Sequence, residues 1–115
     1  GIGIAAGLAM TGKKCVLFYQ DTGLGNSIGA IPTYAAAYHV PMLILAVRRG
    51  GFGEFNAANF YFSESAVDMI DAMRIKAFVL DYKVPLEQWP GAIKQAYGYC
   101  QITYRPIVVF LNLND

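Results

Sequence analysis

The chain has 115 residues, enough for one domain with its own core. Hydrophobic residues make up 56% and charged residues 15%, against roughly 25% charged in an average soluble domain, which excludes a disordered chain. Formal net charge is +1 and no basic run exceeds two residues, so there is no footprint for nucleic acid or an anionic membrane surface.

The chain opens on Gly1-Ile2-Gly3-Ile4-Ala5-Ala6-Gly7 with no Met, signal region or cap, as though begun in mid-element. Its first twelve residues read as the tail of a helix ending at Gly12, with Lys13 and Lys14 behind it. Four continuous apolar runs follow at 15–19, 42–47, 77–80 and 107–111. They are strand length, too short for the roughly 20 residues of a membrane span, and lack alternation, as in strands buried on both faces of a parallel sheet. Between the first two, 28–38 carries Ile28, Ile31, Ala35 and Tyr38 at helical spacing, with Asn26 or Ser27 as N-cap and Pro32 in the first turn. Residues 50–59, with three glycines, read as a long loop of the kind that is often functional. A helix beginning at Ser63 or Ser65 presents Val67, Ile70 and Met73; another after Pro85 presents Leu86, Trp89, Ile93, Tyr97 and Cys100. Strands alternating with helices predict an α/β domain, a central mainly parallel sheet between helical layers. Cys15 and Cys100 lie in apolar segments without a CxxC, which predicts free thiols and a cytoplasmic chain.

The chemistry-bearing segment is Tyr19-Gln20-Asp21-Thr22-Gly23-Leu24-Gly25-Asn26-Ser27, between a buried strand and a helix. A Gly-x-Gly turn at the carboxyl end of a parallel strand lets a ligand approach the backbone; alternatively its glycines merely supply positive φ in a tight turn. Tyr19 and Gln20 end the strand, where either could reach a reacting centre or serve as an ordinary strand-end polar residue. Arg49 could meet an acidic substrate or a partner subunit, whereas Arg48 reads as a solvated surface residue. His39, the only histidine, reads as a helix-end residue rather than a metal ligand. Glu54 reads as a solvated loop side chain. Phe52, Phe55, Phe60, Tyr61 and Phe62 are apolar enough to suggest burial against a partner chain or over the chain's own core.

Taken together, Gly-Ile-Ala-Ala-Gly at 3–7, Gly12-Lys13-Lys14, the Gln20-Asp-Thr-Gly-Leu-Gly-Asn-Ser27 run, Val40-Pro41 before an apolar strand, and Arg49-Gly50 resemble the pyrimidine-binding (PYR) domain of thiamine-diphosphate-dependent decarboxylases. Within these the resemblance is to the sulfopyruvate and phosphonopyruvate decarboxylase alpha-subunit group. It implies that residues 1–115 are a single, N-terminally incomplete PYR domain of the three-layer thiamine-diphosphate-binding fold. Its first strand, first helix and catalytic glutamate are expected upstream of Gly1. The cofactor, thiamine diphosphate, would be shared with the pyrophosphate-binding (PP) domain of a beta subunit that holds Mg²⁺, in a hetero- or homo-oligomer acting on a small 2-oxoacid. The resemblance also implies that Gly23, Leu24, Gly25 and Asn26 bind the cofactor, that Gln20 and Asp21 face the substrate as catalytic residues, and that Arg49 binds substrate.

Asp21 and Thr22 stand where the family more usually has Asn and Ser. A carboxylate about 4 Å from an anionic substrate at an effective dielectric near 20 would repel it by roughly 4 kcal/mol, unless turned away or paired. Two other readings stay open. One is a Rossmann-like NADP site, with Arg48 and Arg49 for a 2′-phosphate, although the third glycine falls at Gly29, one position beyond the usual spacing. The other is a noncatalytic PYR-like assembly subunit.

Overall fold

The structure, a computed structural model, describes residues 2–27, 29–49 and 57–112. Helix α1 (Ile2–Met10) leads into strand β1 (Val16–Gln20), and the short helix α2 (Asp21–Gly25) and a π-helical segment (Ile31–Ala36) lead into β2 (Met42–Val47). Helix α3 (Ala57–Ala72) precedes β3 (Lys76–Leu80); a 3-10 turn (Leu86–Gln88) and α4 (Trp89–Thr103) precede β4 (Pro106–Leu111). The strands form one all-parallel sheet in the order β1-β2-β4-β3. Each predicted apolar run falls on one of them.

The two central strands account for the continuous apolar runs. Every residue of β4 is buried, and β2 is nearly so, because helices cover both sheet faces. One face presents Met42, Ile44, Ala46, Val108 and Phe110 to α1, α2, the π-helical segment and α3, whose contributions include Ala5, Leu24, Ile31 and Ile70. The other presents Leu43, Ile107, Val109 and Leu111 to Trp89, Ala96 and Cys100 of α4. Burying a side chain such as Ile44 or Phe110 contributes about 1.5–3 kcal/mol relative to leaving it exposed. The chain moves outward from β1 to β2 to β3 with its connections on the first face, then returns to β4 through α4 on the second. That change of face follows from the fixed hand of parallel crossovers. The result is the expected three-layer α/β arrangement. Because α4 packs on β4 and β2, no described helix covers the same face of β1, where Val16 and Phe18 are exposed.

Helix ends are set by local backbone chemistry. At the end of α1, Gly12 adopts φ +84, its N–H donates to Ala9 O (3.0 Å), and Lys13 N–H donates to Leu8 O (3.1 Å). This is the paired closure in which a left-handed residue stops a helix, and glycine adopts it without steric penalty. His39 and Arg74 make the same closure with positive φ of 55 and 59, their following residues donating to Ala35 O and Ile70 O. His39 is thus a helix-end residue, as its position suggested.

Three expectations are corrected. The helix predicted over 28–38 is instead a six-residue π-helical segment. Pro32 has no N–H, and its carbonyl accepts from Ala37 N–H five residues on (2.9 Å), giving the wider turn. Helix α3 begins at Ala57, ahead of both serines proposed to start it. Residues 57–59 of the predicted loop are therefore helical, while 50–56, with Phe52, Glu54 and Phe55, lie outside the described residues. Among the described residues, no helix is long and apolar enough to cross a membrane. Both cysteines are free thiols. Cys100, fully buried, donates through Sγ to Met42 O at 3.4 Å.

Candidate functional site

The site forms where β1 and β2 end side by side. Their register pairs Tyr19 with Ala46 and Gln20 with Val47. Alternation along β1 turns Leu17 and Tyr19 inward against the α3-side core and Val16, Phe18 and Gln20 outward. The chain then enters α2 at Asp21, and the two neighbouring polar residues part company.

Gln20 is exposed, and its Oε1 accepts a hydrogen bond from Arg49 Nη1 at 3.1 Å. The main chain before Arg49 is fixed by Arg48 N–H donating to Leu111 O at 2.8 Å, which ties the end of β2 to β4. Arg48 is partly buried rather than solvated, with Nε enclosed and without a hydrogen-bond partner among the described residues.

Asp21 goes the other way and has no exposed surface. Its Oδ2 accepts from the hydroxyl of Ser63, also buried, on α3. Its Oδ1 is enclosed with no partner among the described residues. The expectation that Asp21 faces substrate therefore does not match its position. It is turned away from the strand end and accepts from a serine hydroxyl on α3.

Around the turn, Ser27 Oγ donates to Gly23 O at 3.0 Å and Ser27 N–H donates to Leu24 O at 3.0 Å, closing the segment on itself. Gly25 has an ordinary backbone conformation; its lack of a side chain makes room for Phe62. A Cβ there would sit 2.7 Å from Phe62 Cε2 and 2.9 Å from Cζ. A Cβ on Gly23 would meet the Tyr19 side chain first, at 3.4 Å from Cγ, an ordinary contact. Of the four expected cofactor-binding residues, Leu24 is a core residue with no exposed surface and Gly25 is packed under Phe62. Gly23 is half-buried and Asn26 is exposed. Tyr19 stands beneath the turn, its phenol oxygen enclosed without a hydrogen-bond partner among the described residues. Burial pushes the phenol up from 10.0; the nearby Ser27 hydroxyl opposes this in part but falls short of hydrogen-bond geometry.

The sequence missed Ser63 as part of this site by reading it as a helix cap. The available signal was its spacing from Ala66 and Ile70, which puts a serine on the buried stripe of α3. Phe62, counted only as one of an apolar cluster, fills the space that Gly25 leaves. Among the described residues, no group of three or more His, Cys, Asp or Glu side chains could hold a metal ion.

No protein-family model matches the chain. It is 33% identical over 75 residues to the sulfopyruvate decarboxylase subunit alpha of Methanothermobacter thermautotrophicus, covering 65% of this chain and 46% of that protein. It is 30% identical over 109 residues to the sulfopyruvate decarboxylase subunit alpha of Methanocaldococcus jannaschii, covering 94% of this chain and 63% of that protein. A third similarity, 41% over 54 residues, is to the sulfopyruvate decarboxylase of Methanosarcina acetivorans, covering 47% of this chain and 14% of the relative. The chain thus spans about half the length of the curated alpha subunits it matches.

Proposed function

Because the chain is a relative of the sulfopyruvate decarboxylase alpha-subunit group, we propose that it is the PYR-type part of an alpha subunit in a thiamine-diphosphate-dependent 2-oxoacid decarboxylase. Its substrate would be sulfopyruvate and its companion a PP-domain beta subunit. The observation carrying this reading is the similarity to an alpha subunit through 94% of the chain. These similarities do not favour the NADP-binding and noncatalytic alternatives.

The cofactor's aminopyrimidine ring needs a donor and an acceptor, and the exposed Asn26 amide at the turn supplies both. Asn26 and the main chain at Gly23 would hold the ring, while Leu24 and Gly25 shape the turn by packing beneath it. When bound, the cofactor supplies the electron sink for loss of CO₂, with its diphosphate and Mg²⁺ held by the partner. Gln20 and Arg49 form the substrate side. Asp21 acts by fixing the strand-to-helix turn through Ser63 and does not contact substrate.

The test is the full-length protein assembled with its beta subunit, thiamine diphosphate and Mg²⁺, with CO₂ release from sulfopyruvate measured. Release that needs both subunits and the cofactor is the expected result. No release from any 2-oxoacid in the complete assembly would overturn the reading.

A further inference from the structure

We propose that the groove at the amino ends of the strands binds a small ligand carrying two phosphoryl groups, held by His39, Arg74, Lys76 and Arg105. This assignment is independent of the decarboxylase reading. The four basic side chains come from three separate connections, and they meet because β2, β4 and β3 are neighbours in parallel register, with Met42 beside Pro106 and Lys76 beside Ile107. His39 lies just before β2, Arg74 and Lys76 lie at the entry to β3, and Arg105 lies just before β4. All four are exposed and line one groove of about 460 Å³, within the usual size range of small-molecule sites. No carboxylate is among its described lining residues.

Helix capping does not account for this clustering. Cations near a helix carboxyl end commonly offset the partial negative charge of its last carbonyls. Here main-chain N–H groups already serve them: Arg74 and Ile75 donate to Asp71 O and Ile70 O at 2.9 and 3.2 Å, and His39 and Val40 donate to Ala36 O and Ala35 O at 3.2 and 2.9 Å. No hydrogen bond or ion pair joins any of the four side chains to a described partner. Lys76 Nζ stands 5.2 Å over the Phe78 ring, which leaves its charge unneutralised. His39 and Arg74 also hold φ of 55 and 59, a conformation that costs a non-glycine residue about 1–2 kcal/mol. A basic side chain kept where glycine would be unstrained fits a use in binding.

The charge defines the ligand. Arg74, Lys76 and Arg105 carry three positive charges, and the His39 ring adds a further N–H donor. A phosphoryl group carries about −1.5 to −2 at neutral pH, so two of them match this set, whereas a single carboxylate would leave most of it unmatched. Two planar guanidinium forks suit phosphoryl oxygens better than ammonium groups do. A long polyanion is disfavoured, because the chain's formal net charge is only +1 and the basic side chains converge on one groove instead of tracking a strand of nucleic acid.

The experiment is calorimetric titration of the full-length chain with inorganic pyrophosphate and with inorganic phosphate, at low salt and without Mg²⁺. Wild type is compared with Arg74→Gln, Arg105→Gln, their double variant, Arg74→Gly and a Lys83→Gln control. Lys83 is an exposed cation beyond the opposite end of β3. Pyrophosphate should bind more tightly than phosphate, and loss of either arginine should weaken it about 10-fold, as for a charged hydrogen bond. Lys83→Gln should leave the affinity within about twofold of wild type, because an exposed distant charge is screened. Arg74→Gly should weaken binding as Arg74→Gln does while raising Tm, which separates lost recognition from lost folding. Absence of binding at about 1 mM pyrophosphate, equal affinity for phosphate and pyrophosphate, or equal weakening by Lys83→Gln and Arg105→Gln would overturn the proposal. Pyrophosphate affinity that survives in the double variant overturns it as well.

Discussion

Replacing Gly25 with Ala tests the contact between α2 and α3 most directly. The added methyl would lie 2.7 and 2.9 Å from two carbons of the Phe62 ring, where carbons pack at about 3.5–4.0 Å. Gly25 has no positive φ, so alanine meets no backbone penalty and gains about 0.5–1 kcal/mol in helix propensity. Against this stands an overpacking cost of about 1–3 kcal/mol, because the Phe62 ring is partly buried against the core. The net expectation is a loss of about 1–2 kcal/mol, equivalent to a fall in Tm of about 4–8 °C for a domain this size. Thermal melts followed by circular dichroism should include Phe62→Leu, which shortens the offending ring, and the double variant. The double variant should recover about 1 kcal/mol relative to the sum of the singles. A Gly25→Ala protein that melts at or above the wild-type temperature, together with an additive cycle, would refute the proposed packing.

Ser63→Ala should cost about 1–3 kcal/mol in urea unfolding, because it leaves the buried Asp21 carboxyl without its hydroxyl donor; a loss below 0.5 kcal/mol would show that the bond carries little, on the scale of ordinary surface substitutions. Gly12→Ala should destabilise by about 1 kcal/mol although nothing lies within 4 Å of its Cβ position, because φ is +84. Arg74→Gly, at φ 59, should stabilise by a similar amount, and thermal melts of the two variants should shift in opposite directions. Burial pushes the Cys100 thiol up from 9.0 to about 11, with its hydrogen bonds opposing the shift. The folded chain therefore keeps a proton that the unfolded chain releases: this contribution is whole below pH 9 and declines as pH rises towards 11. Urea unfolding at pH 7 and pH 10.5 should show a smaller alkaline loss in Cys100→Ala than in wild type.

The strands were legible because each is a short apolar run, a pattern that local composition carries by itself, although only β2 and β4 are covered on both faces. Side chains used across the fold were harder to read. Ser63 has the chemistry of a cap, and only the position of Asp21, 42 residues earlier, reveals that its hydroxyl serves a tertiary bond inside a helix already under way. Similarly, Gly-x-Gly was read for backbone freedom or ligand access, whereas Gly25 is needed because a ring from α3 fills its space. The inward turn of Asp21 lay beyond sequence reasoning for a different reason: strand alternation predicts direction only up to Gln20, where β1 ends. The Gln20–Arg49 bond depends on the register between two strands, which neither local run specifies.

The divergence of Gln20 and Asp21 makes the sheet a bulkhead between adjacent positions in the chain. One position is exposed at the strand end and the other is bolted to α3. Position 20 can therefore be varied without disturbing the lock at 21 and 63. Inserting or deleting a single residue within β1 would instead exchange their compartments, driving the amide into the core and exposing the acid beside Arg49.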